Sequence, residues 1–171
     1  TRRTGNRKRS AAAGPSAHKG GYHVSHVAEI SLEIRDLDAL AAAAKELDLE
    51  LIRDQKTYKW YGRSMGDYPL PVGFKKEDLG TCDHAIRIPG NDRAYEIGVC
   101  KRRDGKAGYV LQWDFFSGGY GMAEKVGGDK AQALVQGYAT QVAIKTARAQ
   151  GFRVIGQTRD AKGTVHVQVQ R

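Results

Sequence analysis

Regular hydrophobic patterning begins at Val24 and divides the chain into two unlike parts. Residues 1–23 are mostly small, polar or basic and include no acidic residue, whereas residues 24–171 show the alternation and helical spacing of a folded domain. Six of the 28 Lys and Arg residues precede Val24, which leaves 22 basic against 19 acidic residues in the remainder. We therefore expect one domain over residues 24–171, long enough to bury an ordinary core.

Residues 1–23 allow two interpretations. They are either a basic disordered arm that binds phosphate backbones, or an upstream region translated by mistake. The second is favoured because Lys-Gly-Gly-Tyr-His-Val can be encoded as a purine-rich ribosome-binding sequence, a short spacer and a GUG codon. Val24 would then be the initiator methionine.

The patterns after Val24 predict an α+β order of elements. Residues 27–35 alternate as a half-buried strand, Asp36 is placed to cap a helix, and residues 37–47 repeat apolar side chains at helical spacing. A second helix is predicted from Asp129, with Gln132 completing a capping box, and it ends at Gly151. Further strands are predicted over residues 51–61, 84–88, 94–99, 109–115, 152–157 and 164–170.

Short turns between successive strands favour antiparallel pairing. We expect a mostly antiparallel sheet with both helices on one face, for which a ferredoxin-like topology is one candidate. The last strand has the clearest pattern, with Val165, Val167 and Val169 facing inward. The stretch from residue 62 to residue 73 is expected to be a loop because it contains Pro69 and Pro71.

Six segments carry a resemblance to a known family. They read VSHVAEISLEIRDLDALAAAAKELDLEL, CDHAIRIPG, AYEIGV, GYVLQWDFF, QGYATQVA and DAKGTVHVQVQ. Together they resemble an uncharacterised bacterial, phage and cyanobacterial family that includes hypothetical chloroplast reading frame thirty-five. The similarity covers residues 24–170, and the family's opening Met-Ser-His matches the residues at Val24, which again favours a start there. The resemblance implies no activity and no site residues, and the chain ends at Arg171 without the aromatic that often closes the family's last strand.

Cys82, His84 and Cys100 are the candidate metal ligands, but a closed zinc site needs four. Cys82 and His84 also form a candidate nucleophile and base, although side chains two apart on one strand lie about 7 Å apart. We expect free thiols, no metal and no cofactor. His26 and His166 are interpreted as surface residues.

Glycines and aromatics crowd the segment that follows residue 112. The run from Gly118 to Gly121 does not match a nucleotide-binding motif, so a flexible loop is expected there. The densest aromatic cluster surrounds Asp114, which burial could turn into a general acid. The alternative is that alternate members of this strand are core. The aromatic cluster consists of Trp113, Phe115, Phe116 and Tyr120.

Two basic groups are candidates for nucleic-acid binding. Lys59, Trp60 and Arg63 lie in an aromatic segment that could stack on bases while neutralising phosphates. The second group follows a predicted strand and consists of Lys101, Arg102 and Arg103.

Three classes of function remain open. The leading hypothesis is a non-catalytic adaptor that binds a protein partner, because no set of ionisable residues converges in the sequence. The alternatives are a nucleic-acid-associated or ribosome-associated basic protein and an enzyme of unrecognised type. Because no apolar run is long enough to cross a bilayer, we expect a soluble cytoplasmic protein with no membrane partner.

Overall fold

A computed structural model describes residues 27–63 and 69–171. The basic segment 1–23, the proposed start at Val24 and the surface position of His26 lie outside these residues, and so does part of the predicted loop over 62–73.

In these described residues the main sheet has five strands, and every neighbouring pair is antiparallel. Its order is β1-β5-β4-β3-β2, so the central strand is β4. The predicted α+β class is confirmed. The strands are β1 (Val27–Ile34), β2 (Glu50–Arg53), β3 (His84–Arg87), β4 (Ile97–Lys101) and β5 (Tyr109–Asp114).

The last two strands, β6 (Arg153–Arg159) and β7 (Val165–Gln170), form a separate two-stranded sheet. A ferredoxin-like fold would need two crossover units that place parallel strands inside one sheet. In the described residues β1 pairs with β5 and β6 pairs with β7, each antiparallel. The ferredoxin-like topology is therefore not the one formed, because the final strands pair with each other.

The first helix, α1 (Leu37–Glu46), begins where the sequence predicts. The carboxylate of Asp36 accepts hydrogen bonds from the backbone N–H groups of Asp38 and Ala39, each at 3.0 Å. One face of the helix, which includes Leu40, is buried against the sheet. Lys145 lies 2.6 Å from the Asp36 carboxylate and contributes the largest part of the lowering of its pKa.

The long helix α3 (Gln132–Ala149) begins three residues later than predicted. It is preceded by a short helix, α2 (Met122–Val126), and by a turn in which Gly127 and Gly128 have φ of 84° and 97°. Ala131 occupies the N-cap position with φ of 49° and makes no side-chain cap. The predicted capping box at Asp129 is wrong, because this turn places that residue before the helix.

Both long helices cover one face of the main sheet, as predicted. Gly137 of α3 lies so close to α1 that an added Cβ would be 3.3 Å from the Cβ of Ala43. The buried core between helices and sheet includes Ile34, Leu40, Ile86, Ile97, Leu111, Trp113 and Leu134. No helix in residues 27–63 and 69–171 combines the length and apolarity needed to cross a membrane.

The opposite face of the sheet is covered by the connection between β2 and β3. The predicted strand over 51–61 is wrong beyond Arg53, because Asp54 has φ of 61° and turns the chain. Tyr58 then packs on Gly98 of β4, where an added Cβ would be 2.4 Å from its ring. The Tyr58 backbone N–H donates to the Gly80 carbonyl at 2.9 Å.

The β6–β7 hairpin packs against α3 through one of its faces. Val165 and Val167 are half-buried there, as the alternation predicts. Val169 was predicted to face inward but is 43% exposed, and Ile155, at an irregularity in the pairing, is 57% exposed. The predicted burial of Val169 is therefore wrong, although its cross-strand partner Val154 is half-buried.

Candidate binding surface

Asp114 at the end of β5 holds two distant segments together. Its side chain is fully buried. One carboxylate oxygen accepts a hydrogen bond from the Phe116 backbone N–H at 2.9 Å, and the other accepts from the Tyr61 backbone N–H at 3.2 Å. The carboxylate therefore fixes the turn after β5 against the segment that covers the sheet.

The turn after β5 is a rare left-handed one. Ser117, Gly118, Gly119 and Tyr120 have φ of 49°, 63°, 59° and 52°. Left-handed backbone costs a residue with a side chain roughly 1–2 kcal/mol, so Ser117 and Tyr120 are strained. The Gly119 carbonyl accepts from the Tyr95 N–H at 3.0 Å, which helps to hold the turn. The segment predicted to be a flexible loop thus has the backbone of a strained left-handed turn.

This turn builds a surface that we call the aromatic surface, consisting of Tyr61, Phe116 and Tyr120. The Tyr61 and Phe116 rings lie 5.6 Å apart, and Tyr120 makes an edge contact at 5.1 Å with Tyr95, which lies beneath it. Tyr61 is 46% exposed and Tyr120 is 44% exposed. Burial raises the pKa of Tyr95 to about 12, so the supporting ring stays neutral.

The other aromatics of the predicted cluster belong to the core. Trp113 is fully buried beneath the helices and lies 6.0 Å from the half-buried ring of Phe115. Sequence reasoning therefore found Phe116 and Tyr120 but could not separate them from the buried members. It missed Tyr95, because no local pattern links that residue to the turn.

The two predicted basic groups lie at opposite ends of β4. Glu96, just before β4, accepts a hydrogen bond from the Lys59 backbone N–H, whereas Lys101 is the last residue of the strand. A five-residue strand separates its ends by roughly 13 Å. Trp60 packs on Gly80, and Arg63 is exposed. The fold therefore does not merge the two groups into one basic site.

Acidic neighbours offset much of the second group's charge. Arg102 pairs with Asp104 and holds the pKa of that carboxyl at about 2. Arg103 lies 2.7 Å from Asp78 and stacks over the Phe74 ring at 4.4 Å. Lys101 is exposed. These pairs reduce the attraction that Arg102 and Arg103 would have for a phosphate.

The two thiols line the same cavity, of about 340 Å³. Cys82 donates a hydrogen bond to the Gln55 carbonyl at 3.1 Å, and Cys100 donates to the Thr81 carbonyl at 3.4 Å. Burial raises the pKa of each thiol to about 12. Both are therefore protonated at neutral pH and poor as nucleophiles or metal ligands.

His84 is not placed to act as a base for these thiols. Its Nδ1 accepts a hydrogen bond from the Asp54 backbone N–H at 2.9 Å, which uses that lone pair. Burial lowers the pKa of the ring, and Nε2 is buried without a hydrogen-bond partner. Within the described residues there is no group of three or more His, Cys, Asp or Glu side chains that could hold a metal ion.

The C-terminal part of the chain carries an excess of basic residues that sequence reasoning missed. Residues 131–171 contain six Lys and Arg but only one acidic residue, Asp160. Residues 24–130 contain 16 basic and 18 acidic residues. A running count of charge along the sequence would have revealed this segregation. The six basic residues are Lys145, Arg148, Arg153, Arg159, Lys162 and Arg171.

Comparison with known proteins gives no match. No protein-family model matches this chain, and neither a curated protein nor a solved structure does.

Proposed function

We propose that this protein is a non-catalytic adaptor that binds a protein partner through the aromatic surface. The observation that carries the proposal is the strained turn after β5, which Asp114 holds so that Phe116 lies against Tyr61 while Tyr120 lies against Tyr95. Strained backbone persists where the surrounding structure enforces it, and such segments cluster at functional sites.

The chemistry of these side chains suits protein recognition. Tyrosine offers a large, rigid ring with a polar tip, so it loses little conformational freedom on binding, and it is enriched among the residues that dominate interface energies. The buried Tyr95 supports Tyr120 from below. This support orders the exposed ring before a partner arrives, which lowers the entropic cost of association.

The ionisable groups favour binding over catalysis. The raised pKa values of Cys82 and Cys100 make both thiols weak nucleophiles. The Asp114 oxygens accept backbone hydrogen bonds in a fully buried position, which suits a structural role.

The test is a comparison of partner capture by wild type and by the double variant Tyr61→Ala/Tyr120→Ala. Proteins captured from the native cell are quantified by mass spectrometry, and the partner found is purified for a direct affinity measurement. We expect the double variant to bind at least roughly 10-fold more weakly, as for interface residues that contribute above 1.4 kcal/mol.

The matched control is Val72→Ala/Ile155→Ala, which removes two exposed apolar side chains elsewhere. It should bind the partner within about twofold of wild type. Circular dichroism of each variant confirms that the fold is intact. Equal affinity of wild type and the tyrosine variant for every captured protein would refute the proposal.

Nucleic-acid binding is the second candidate function. The observation that favours it is the excess of basic residues in residues 131–171, which include the C-terminal hairpin.

A further inference from the structure

The β6–β7 hairpin and the end of α3 carry more positive charge than their single acid, Asp160, offsets, and that carboxylate lies 3.3 Å from His166. Within the described residues, no carboxylate side chain forms an ion pair with Arg148, Arg153, Lys162 or Arg171. Arg159 donates to neutral acceptors, the Gln136 side chain and the Gly163 carbonyl. This contrasts with Arg102 and Arg103, whose partners are aspartates.

The pairing register shows which residues face away from α3. Arg159 bonds to Gln136 of α3, and its cross-strand partner Val165 is half-buried, so the face of the hairpin that carries these two side chains lies against the helix. The side chains that alternate with them form the outward face, which contains no acidic residue. In cross-strand pairs it consists of Arg153 with Gln170, Gly156 with Gln168, and Thr158 with His166.

We propose that this hairpin binds duplex DNA by entering the major groove. Two strands lie about 4.8 Å apart, and a two-stranded ribbon fits the groove, which is about 12 Å wide. Arginine, glutamine and threonine are side chains that hydrogen-bond to base edges in that groove. The outward face of the hairpin presents all three types along its length.

The basic residues lie where phosphates would flank such a ribbon. Arg153 and Arg171 belong to the open end of the hairpin, and Arg148 lies in the last turn of α3, five residues before β6 begins, whereas Lys162 lies in the hairpin turn. Lysine and arginine at both ends would contact the backbones on either side of the groove and release counterions. Duplex RNA fits less well, because its major groove is too deep and narrow for side chains to read.

The experiment measures binding of the full chain to a labelled 20-base-pair DNA duplex by fluorescence anisotropy at 50, 100 and 200 mM salt. The triple variant Arg148→Gln/Arg153→Gln/Lys162→Gln removes three positive charges from the hairpin region. We expect affinity at 100 mM salt to fall at least roughly 10-fold, and the slope of log affinity against log salt to fall by about three.

The matched control Lys45→Gln/Lys76→Gln/Lys130→Gln removes the same charge from exposed positions elsewhere. It should keep most of the affinity. Protection of guanine N7 from methylation by wild type then reports contact in the major groove. Circular dichroism and thermal melting show that both triple variants are folded.

The proposal would be overturned by absence of DNA binding, by equal loss of affinity in the two triple variants, by unprotected guanine N7 in the complex, or by tighter binding of an RNA duplex or of polyglutamate. Retained affinity in the hairpin variant would also contradict it, since binding would then come from another part of the chain. None of these results bears on the aromatic surface, so the two proposals fail independently.

Discussion

The Tyr138 hydroxyl of α3 accepts a hydrogen bond from the Arg35 backbone N–H at 2.9 Å. It also accepts one from the Asp36 N–H at 3.2 Å, at the point where β1 gives way to α1. A buried side chain from the far end of the chain thus satisfies two backbone donors at the start of the first helix. This contact joins the two long helices where one of them begins.

Replacing Tyr138 with phenylalanine should destabilise the fold by about 1–3 kcal/mol, because it leaves those partly buried N–H groups without an acceptor. Urea unfolding followed by circular dichroism measures the change. The control Tyr61→Phe removes an exposed hydroxyl and should stay within about 0.5 kcal/mol of wild type. Equal stability of the two variants would show that water replaces the Tyr138 hydroxyl without cost.

Gly98→Ala should also destabilise the protein, by about 1–3 kcal/mol, since its Cβ would lie 2.4 Å from the Tyr58 ring. The same change at Gly156 meets only the flexible end of Gln168 and should cost much less. In a double-mutant cycle with Tyr58→Ala, the penalty of Gly98→Ala should largely disappear. Additive penalties would mean that the ring does not limit the space at Gly98.

His84 should make the fold less stable as the pH falls below about 6.5, the ordinary value from which burial lowers its pKa. Below that pH the His84 ring is protonated more fully in the unfolded chain than in the folded protein, so a fall in pH favours unfolding. His84→Asn keeps an oxygen that can accept the Asp54 N–H but does not titrate.

The free energy of unfolding of wild type and of His84→Asn is measured at pH 5.0 and at pH 7.5. Wild type should lose more stability than His84→Asn between these values. The exposed His166 is present in both proteins and cancels in the comparison. An identical loss in both would mean that His84 titrates normally in the folded state.

Both thiols should react slowly with Ellman's reagent at pH 8. A thiol with a pKa of about 12 is thiolate only on the order of one molecule in ten thousand at that pH. Reaction in the folded protein should therefore be at least roughly 100-fold slower than in urea. The single variants Cys82→Ser and Cys100→Ser assign each rate, and a fast thiol in either would show that the surroundings stabilise its thiolate.

The α+β class and most element positions were predictable because they rest on local spacing. The cap at Asp36 forms within three residues, and alternation over 165–170 reflects a backbone whose successive side chains face opposite ways. The boundaries that failed depend on left-handed residues such as Asp54 and Ala131, which no hydrophobic pattern marks.

The excess of basic residues in the C-terminal segment can be counted from the sequence, whereas the aromatic surface cannot be predicted from it. Tyr61, Tyr95 and Tyr120 are separated by at least 25 residues and meet only because the Asp114 carboxylate and the Gly119 carbonyl accept hydrogen bonds from distant backbone N–H groups. The sequence by itself therefore determined the elements and the charge, through contacts between near neighbours. The tertiary structure decided which exposed rings stand together, because long-range hydrogen bonds bring them there.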